Sequence, residues 1–475
     1  MSSTQMVESK VRTVGGTEYS WCKAVRGGTG IAVLALLSSK NPDISRFQIA
    51  LNKLQNSHPI LKSKLHSNTT TSDTAFTFIT LTTPFVKIEH HNISVTSKIL
   101  GRNKNDTVFV PPFQVILEHE MNQNTWHNHN RSSSSSSSSP SLSYSDNMFV
   151  ASIYAMPNAT WVVVMRLHVA ACDRTTAISL LRELLVLMKE EEREGKSEEW
   201  NKGEVGFAME DLVPCGKGKK GMWAHGIDVL SYSFNSLRLT NLKFCDTRTT
   251  RFSQVVRLQL NNNDTKRVLD GCKHSRIKLC GALSASGLMA AHSSKSSSKK
   301  YGIITLTDCR SSLQPPLSLH KFGFYHSAIL NSHMIKGGES FWELAKKTYE
   351  TFAISKNNNK HFTDMSDMNF LMCKAIDNPS LTSSSSLRTS MMSVFEDTVI
   401  DDGGKVQREV GVEDYMGCAS VHGVGPSIAI FDTIRDGRLD CICVYPAPLH
   451  SREQMLELVN KMKVILIEGG KTYEE

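Results

Sequence analysis

The segment Trp161–Leu181, WVVVMRLHVAACDRTTAISLL, leaves the chain few folds to choose from. Trp161 to Leu167 is a near-continuous apolar run rich in β-branched residues, the pattern of a strand covered on both faces. From Thr175 the apolar residues Ile178, Leu180, Leu181, Leu184, Leu185 and Leu187 recur at the spacing of a helix with one broad apolar face. The turn between them holds His168, Cys172 and Asp173. A buried strand, a polar turn and a helix predict an α/β architecture, and such a turn is where α/β proteins place reactive groups.

Size and composition narrow the function classes. A chain of 475 residues is too long for one ordinary core and suits two domains. With 40% hydrophobic and 21% charged residues it has the balance of a soluble globular protein. No run reaches the roughly 18 apolar residues of a membrane helix, and the opening MSSTQMVESKVRT has no apolar signal core, so neither a membrane span nor secretion is expected. The 11 cysteines are scattered through apolar segments, which fits reduced thiols in the cytoplasm. The net charge of +8 sits in short clusters such as Lys217–Lys220 and Lys299–Lys300, without an aromatic-interleaved basic stripe, so nucleic acid is not an expected partner.

Turn and cap residues divide the rest of the chain. Gly15-Gly16 and Gly27-Gly28 read as turns around Ile31–Leu37. Asp43–His58 reads as an amphipathic helix capped by Asp43, and Phe76–Leu81 and Val86–Glu89 as short strands. Residues 121–146, with the serine run Ser132–Ser139, read as a disordered surface loop. Lys189–Lys220 is charged and then glycine- and lysine-rich, which predicts domains at 1–200 and 225–475 joined through 201–224. The second half predicts a strand at Thr249–Leu260, helices at Thr265–His274 and Cys280–His292, and a strand at Tyr301–Asp308. Helices at Glu339–Ala353 and His361–Ile376, a hairpin across Val421–Pro446 turning at Arg435-Asp436-Gly437, and a closing helix at Met455–Glu468 follow.

The central turn resembles the active-site motif of the CoA-dependent acyltransferase superfamily, which includes plant BAHD acyltransferases and peptide-synthetase condensation domains. That motif is His-His-x-x-x-Asp-Gly. Without gaps, His168 falls on the first His, Val169 on the catalytic His, Asp173 on the Asp and Arg174 on the Gly. His58-Pro59-Ile60-Leu61 is similar to the condensation-domain helix end, with His58 itself read as a helix-end residue. Asp308, Arg310, Leu313, Pro315, Pro316, Leu317, Phe322 and Gly323 match a longer BAHD stretch, with Phe324 in place of its Asn. The BAHD string Asp-Phe-Gly-Trp-Gly is absent near Val421. The resemblance implies two chloramphenicol-acetyltransferase-like domains, each a mixed sheet flanked by helices, with an interdomain channel. It implies acyl transfer from acyl-CoA or a carrier thioester, used as co-substrate with no bound cofactor, to a hydroxyl or amine of a small specialised metabolite. It also implies a monomer, and a structural pair of Asp173 with Arg310.

Acyl transfer needs a base for the acceptor's proton, and an imidazole titrates near neutrality. If strand geometry persists to residue 169, His168 points away from the channel and Val169 faces it. A one-residue bulge, with Arg174 replacing the motif's Gly, instead swings His168 inward. His326 and His422 are alternative bases. Loss of the motif His also allows a descendant that performs a cyclisation or condensation, or only binds a small molecule. Cys172 and Cys441-x-Cys443 read as core thiols, and the helically spaced His361, Asp364 and Asp367 do not make a metal site. There is no Gly-x-Ser-x-Gly elbow, phosphate loop or dinucleotide fingerprint.

Overall fold

The computed structural model describes residues 10–69, 74–101, 108–127, 147–189, 205–218, 221, 239–292 and 297–472. The apolar run forms β7 (Trp161–His168), the middle strand of a five-stranded sheet. Its neighbours are β2 (Thr29–Ser38), β5 (Ile88–His91), β6 (Phe149–Ala155) and β13 (Val412–Val421), in the spatial order β13-β2-β7-β6-β5. All pairings are antiparallel except β5 with β6. Both faces of β7 are covered, which is why its sequence does not alternate. One face packs on the helices Ile44–Ser57 and Arg174–Lys189 through Phe47, Leu51, Leu54, Leu180 and Leu184. Asp43 caps the first of these by accepting from the Arg46 N–H at 3.1 Å.

The second half builds a seven-stranded mixed sheet. It contains β8 (Phe252–Gln259), β9 (Lys299–Asp308), β10 (His326–Ile335), β11 (Arg388–Phe395), β12 (Val399–Asp401), β14 (Gly425–Arg435) and β15 (Arg438–Ala447). Their order is β10-β9-β11-β14-β15-β8, with β12 beside β14. Helices Asn262–His274, Leu279–Ala291, Phe341–Asn357 and Arg452–Lys471 cover one face. Leu279–Ala291 comes close to its neighbour because a Cβ at Gly281 would lie 2.9 Å from the Ala345 carbonyl oxygen. The β14–β15 hairpin turns on Asp436 and Gly437, both with positive φ (49° and 74°), as a two-residue turn matched to strand twist requires. A small sheet of β1 (Lys10–Thr13), β4 (Thr74–Thr80) and β3 (Ser63–Thr69) completes the strands.

Three sequence expectations change in the structure. The serine-rich loop does not begin at 121: helix Pro112–Met121 and the following turn are packed, with Trp126 buried and its indole N–H donating to Asn147 O at 2.9 Å. Residues 128–146 lie outside the described residues. The described part of the expected linker, 205–218, is also packed, with Met209 and Leu212 buried and Glu210 accepting from the Thr17 N–H at 2.6 Å. The helix expected at His361–Ile376 is two pieces, Lys360–Thr363 and Met365–Asp377.

The halves are also not separate in chain order. β13 leaves the second half and pairs with β2 along its length, with Gly417 opposite Leu34. Ile31, Val33, Val162 and Val164 of the first sheet meet Val255, Ile442 and Val444 of the second in a shared core. Among the described residues no helix is long and apolar enough to cross a membrane. Residues 1–221 made alone leave the β2 edge unpaired and should aggregate. Light scattering and hydrogen exchange test this: the amides of Ala32–Leu37 that point at β13 are expected to be protected in the full chain and not in the fragment, while those bonded to β7 stay protected in both.

Candidate active site

The end of β7 decides which motif residue meets open space. Its register with β2 runs unbroken to the pair Ile31–His168, and the Val169 N–H continues to Gly30 O at 3.1 Å. No bulge intervenes, so the strand's alternation leaves His168 inside the protein with no exposed surface. Its Nδ1 accepts from the Ala170 N–H at 3.1 Å, and its ring stands edge-on to Trp126 at 5.4 Å. Nε2 is buried without a hydrogen bond, and burial, aided by Arg26, pushes the imidazole down to about 3. His168 therefore does not reach the space in which it was expected to act as base. Val169 does, packed so tightly against Gly30 that a Cβ there would sit 2.8 Å from Val169 Cγ1.

That space is a cavity of about 390 Å³ between the two sheets. Its walls are mostly apolar, including Trp21, Phe324, Phe395, Phe431, Met368 and Met372. Arg174, in place of the motif's Gly, also lines it. Its guanidinium lies 4.2 Å over the Phe395 ring and pairs with Asp432 Oδ1 at 3.0 Å.

Asp173 caps the helix Arg174–Lys189: Oδ1 accepts from the Thr176 N–H at 3.0 Å and the Thr176 hydroxyl at 2.9 Å. Oδ2 accepts from Arg310 Nη2 at 2.8 Å, the Tyr325 N–H at 2.9 Å and His326 Nδ1 at 3.1 Å. Burial alone would raise this carboxyl, but Arg310 and His326 hold it well below the usual carboxylate range. Asp173 and Arg310 are both 1% exposed. Arg310 also pairs with Asp308 at 3.1 Å and donates to Lys321 O at 3.1 Å.

Of the three histidines singled out in the sequence, His326 is the one in the cavity wall. An ionised carboxylate can only accept, so the contact with Asp173 places a proton on Nδ1 and leaves Nε2 as the basic nitrogen. Nε2 makes no hydrogen bond among the described residues, and the ring stands edge-on to Phe395 at 5.8 Å. His422 is not in the wall: its Nδ1 meets Ser253 Oγ at 3.0 Å, its ring fills the space over Gly28, and burial and Arg388 push it down to about 4. Cys172 is buried and pushed up to about 12 by that burial, and Cys441 and Cys443 have no exposed surface. Among the described residues no cluster of three His, Cys, Asp or Glu is placed to hold a metal.

No protein-family model matches the sequence, and no curated protein matches it. Solved structures do match along the whole chain. The polyketide synthase associated protein 5 from Mycobacterium tuberculosis aligns at 13% identity and TM-score 0.63, covering 98% of this chain and 100% of that one. The TRI3 trichothecene 15-O-acetyltransferase from Fusarium sporotrichioides aligns at 11% identity and TM-score 0.68, covering 97% and 95%. The X-domain from teicoplanin biosynthesis aligns at 13% and TM-score 0.57, covering 97% and 95%. The chain has the two-domain chloramphenicol-acetyltransferase-like fold of acyltransferases and condensation domains.

Asp173→Ala removes the buried partner of Arg310 and leaves the Tyr325 N–H and the cap of the helix unpaired, and should cost about 3–5 kcal/mol, read by denaturant unfolding. The buried neutral histidines set a pH dependence. His168 (about 3) and His422 (about 4) sit below the unfolded value of 6.5, so their contribution is complete above pH 6.5 and is lost as pH falls toward those values. Denaturant titrations from pH 7 to pH 4 should show stability falling, and His168→Phe should flatten that slope by up to about 1.4 kcal/mol per pH unit.

Proposed function

We propose that the protein is an acyltransferase that moves an acyl group from a thioester to a hydroxyl or amine of a small, largely apolar molecule, with His326 as general base. The observation that carries this reading is the Asp173–His326 contact at 3.1 Å in the cavity wall. In the family motif the base belongs at the position held here by Val169. His326 reaches the motif's carboxylate from the other half of the protein. Asp173 holds the ring in one tautomer and stabilises the imidazolium that forms when the acceptor loses its proton.

The reaction then balances simply. Nε2 takes the acceptor's proton as its oxygen or nitrogen attacks the thioester carbonyl, and a new carbonyl–oxygen or carbonyl–nitrogen bond forms. The carbon–sulfur bond breaks as the tetrahedral intermediate collapses, and Nε2 returns the proton to the departing thiolate. An acyl-CoA or a carrier-bound thioester is the donor in this reading. The acetyltransferase among the similar folds supports it. All eleven cysteines are free thiols, which supports a cytosolic site of action.

A second reading rests on Val169. Its side chain occupies the cavity wall at the motif position and carries no proton-transfer group. Under that reading the cavity binds a small molecule, or serves another condensation or cyclisation. One experiment separates the two: thiol release from acetyl-CoA and longer acyl-CoA donors is followed with a panel of alcohols and amines. Acyl transfer with His326 as base predicts release that falls about 10²- to 10⁴-fold in His326→Gln and is unchanged in kcat in His168→Gln. No release with any donor, from folded protein, would sink acyl transfer and leave the second reading.

A further inference from the structure

We infer that the molecule held in this cavity is elongated and apolar and ends in a carboxylate, and that Arg388 binds that carboxylate. The inference rests on the acyl-transfer reading only for the ligand's role as acceptor. The binding site itself stands on the following observations.

Two buried ionic side chains, Asp173 and Arg388, line the cavity together with the half-buried Arg174. Asp173 is neutralised by Arg310, and Arg174 by Asp432. Arg388, at the start of β11, is 4% exposed and has no carboxylate within ion-pair distance among the described residues. Its guanidinium is held entirely by carbonyls. Nε donates to Ser386 O at 3.1 Å and Nη1 to Val421 O at 3.0 Å, with closer bonds from Nη1 to Pro426 O and from Nη2 to Gly423 O. A guanidinium has five N–H donors, so one on Nη2 is left over. Carbonyls satisfy hydrogen bonds but do not cancel a unit charge, and a buried unpaired ion is costly.

The surroundings add positive charge. Arg251 donates to Ser385 O and Ser386 O beside it, again with carbonyls alone as partners among the described residues. Lys374 adds an exposed cation to the lining, and burial together with the Arg388 charge keeps His422 and His450 neutral. Burial also lowers Arg388 itself, to about 9, which still leaves it charged at neutral pH. An anion is the group this end of the cavity lacks, and a bidentate carboxylate matches the planar fork.

Geometry sets the ligand's length. β11 runs from Arg388 to Phe395, and Phe395 touches the His326 ring. Eight strand residues span roughly 25 Å, and the guanidinium stays at the Arg388 end, bonded to carbonyls beside the start of the strand. Between these two points the wall is apolar or weakly polar, with Ala429, Phe431, Met368 and Met372. A long hydrocarbon body with a hydroxyl near His326 and a carboxylate near Arg388 fits both ends.

The test compares 16-hydroxyhexadecanoate with 1,16-hexadecanediol, the same chain with an alcohol in place of the acid. Binding to the full-length protein at pH 7.5 is read by the fluorescence of Trp21, which lines the cavity, and by calorimetry. The acid should bind roughly 10- to 100-fold more tightly, the worth of a charge-assisted contact. Arg388→Gln should erase the difference between acid and diol. Equal binding of acid and diol to the wild type overturns the inference even where the variant fails to fold. A preference for the acid that survives in folded Arg388→Gln overturns the assignment to this residue. Binding is measured without a donor, so an acid preference with no thiol release sinks acyl transfer alone, and thiol release without an acid preference sinks this inference alone.

Discussion

One buried carboxylate organises the centre of this protein. Asp173 accepts five hydrogen bonds from four residues, drawn from the first turn of its own helix and from the Arg310 and Tyr325–His326 segments of the other half. Arg310 neutralises the charge, and the remaining donors satisfy the oxygen lone pairs that burial would otherwise leave empty. Because the donors come from both halves, the same group that starts a helix also fixes how the second sheet approaches the first. The cavity lies against this joint, so its wall is set by the best-anchored part of the molecule.

At this turn a carboxylate keeps its place while the residues around it change. Val169 takes the motif position and can contribute only shape. The Asp173 carboxylate remains, and the imidazole that reaches it comes from β10 instead of from the turn. Arg174, too large for a position where the motif has Gly, is accommodated by Phe395 beneath it and Asp432 beyond it. Each change draws on partners in the second sheet.

Much of the fold was legible because it is local. The strand at Trp161, the helix after Asp173, the Asp43 cap and the Asp436-Gly437 hairpin each follow from residues within a few positions of one another. The site was legible in part. The pairing of Asp173 with Arg310 was suggested by motif resemblance, and His326 was one of two alternative bases among 17 histidines. The choice between Val169 and His168 hung on one residue of strand register, which the sequence left open because Arg174 disturbs the motif. The packed turn at Trp126 was hidden by its serine-rich neighbours, and β13 by the assumption that a late segment belongs to the late domain.

By itself the sequence determined two α/β halves, a polar turn at the end of a buried strand, and the carboxylate in that turn. Periodicity and turn chemistry act over short separations, and these features need nothing more. Tertiary structure alone decided which imidazole meets the carboxylate, which sheet receives β13, and which buried arginine has no acid beside it among the described residues. Asp173 and His326 are 153 residues apart, and β13 lies some 380 residues beyond the strand it pairs with. Contacts at that distance exist only once both sheets have closed on their common core, since burial, not sequence proximity, brings the partners together.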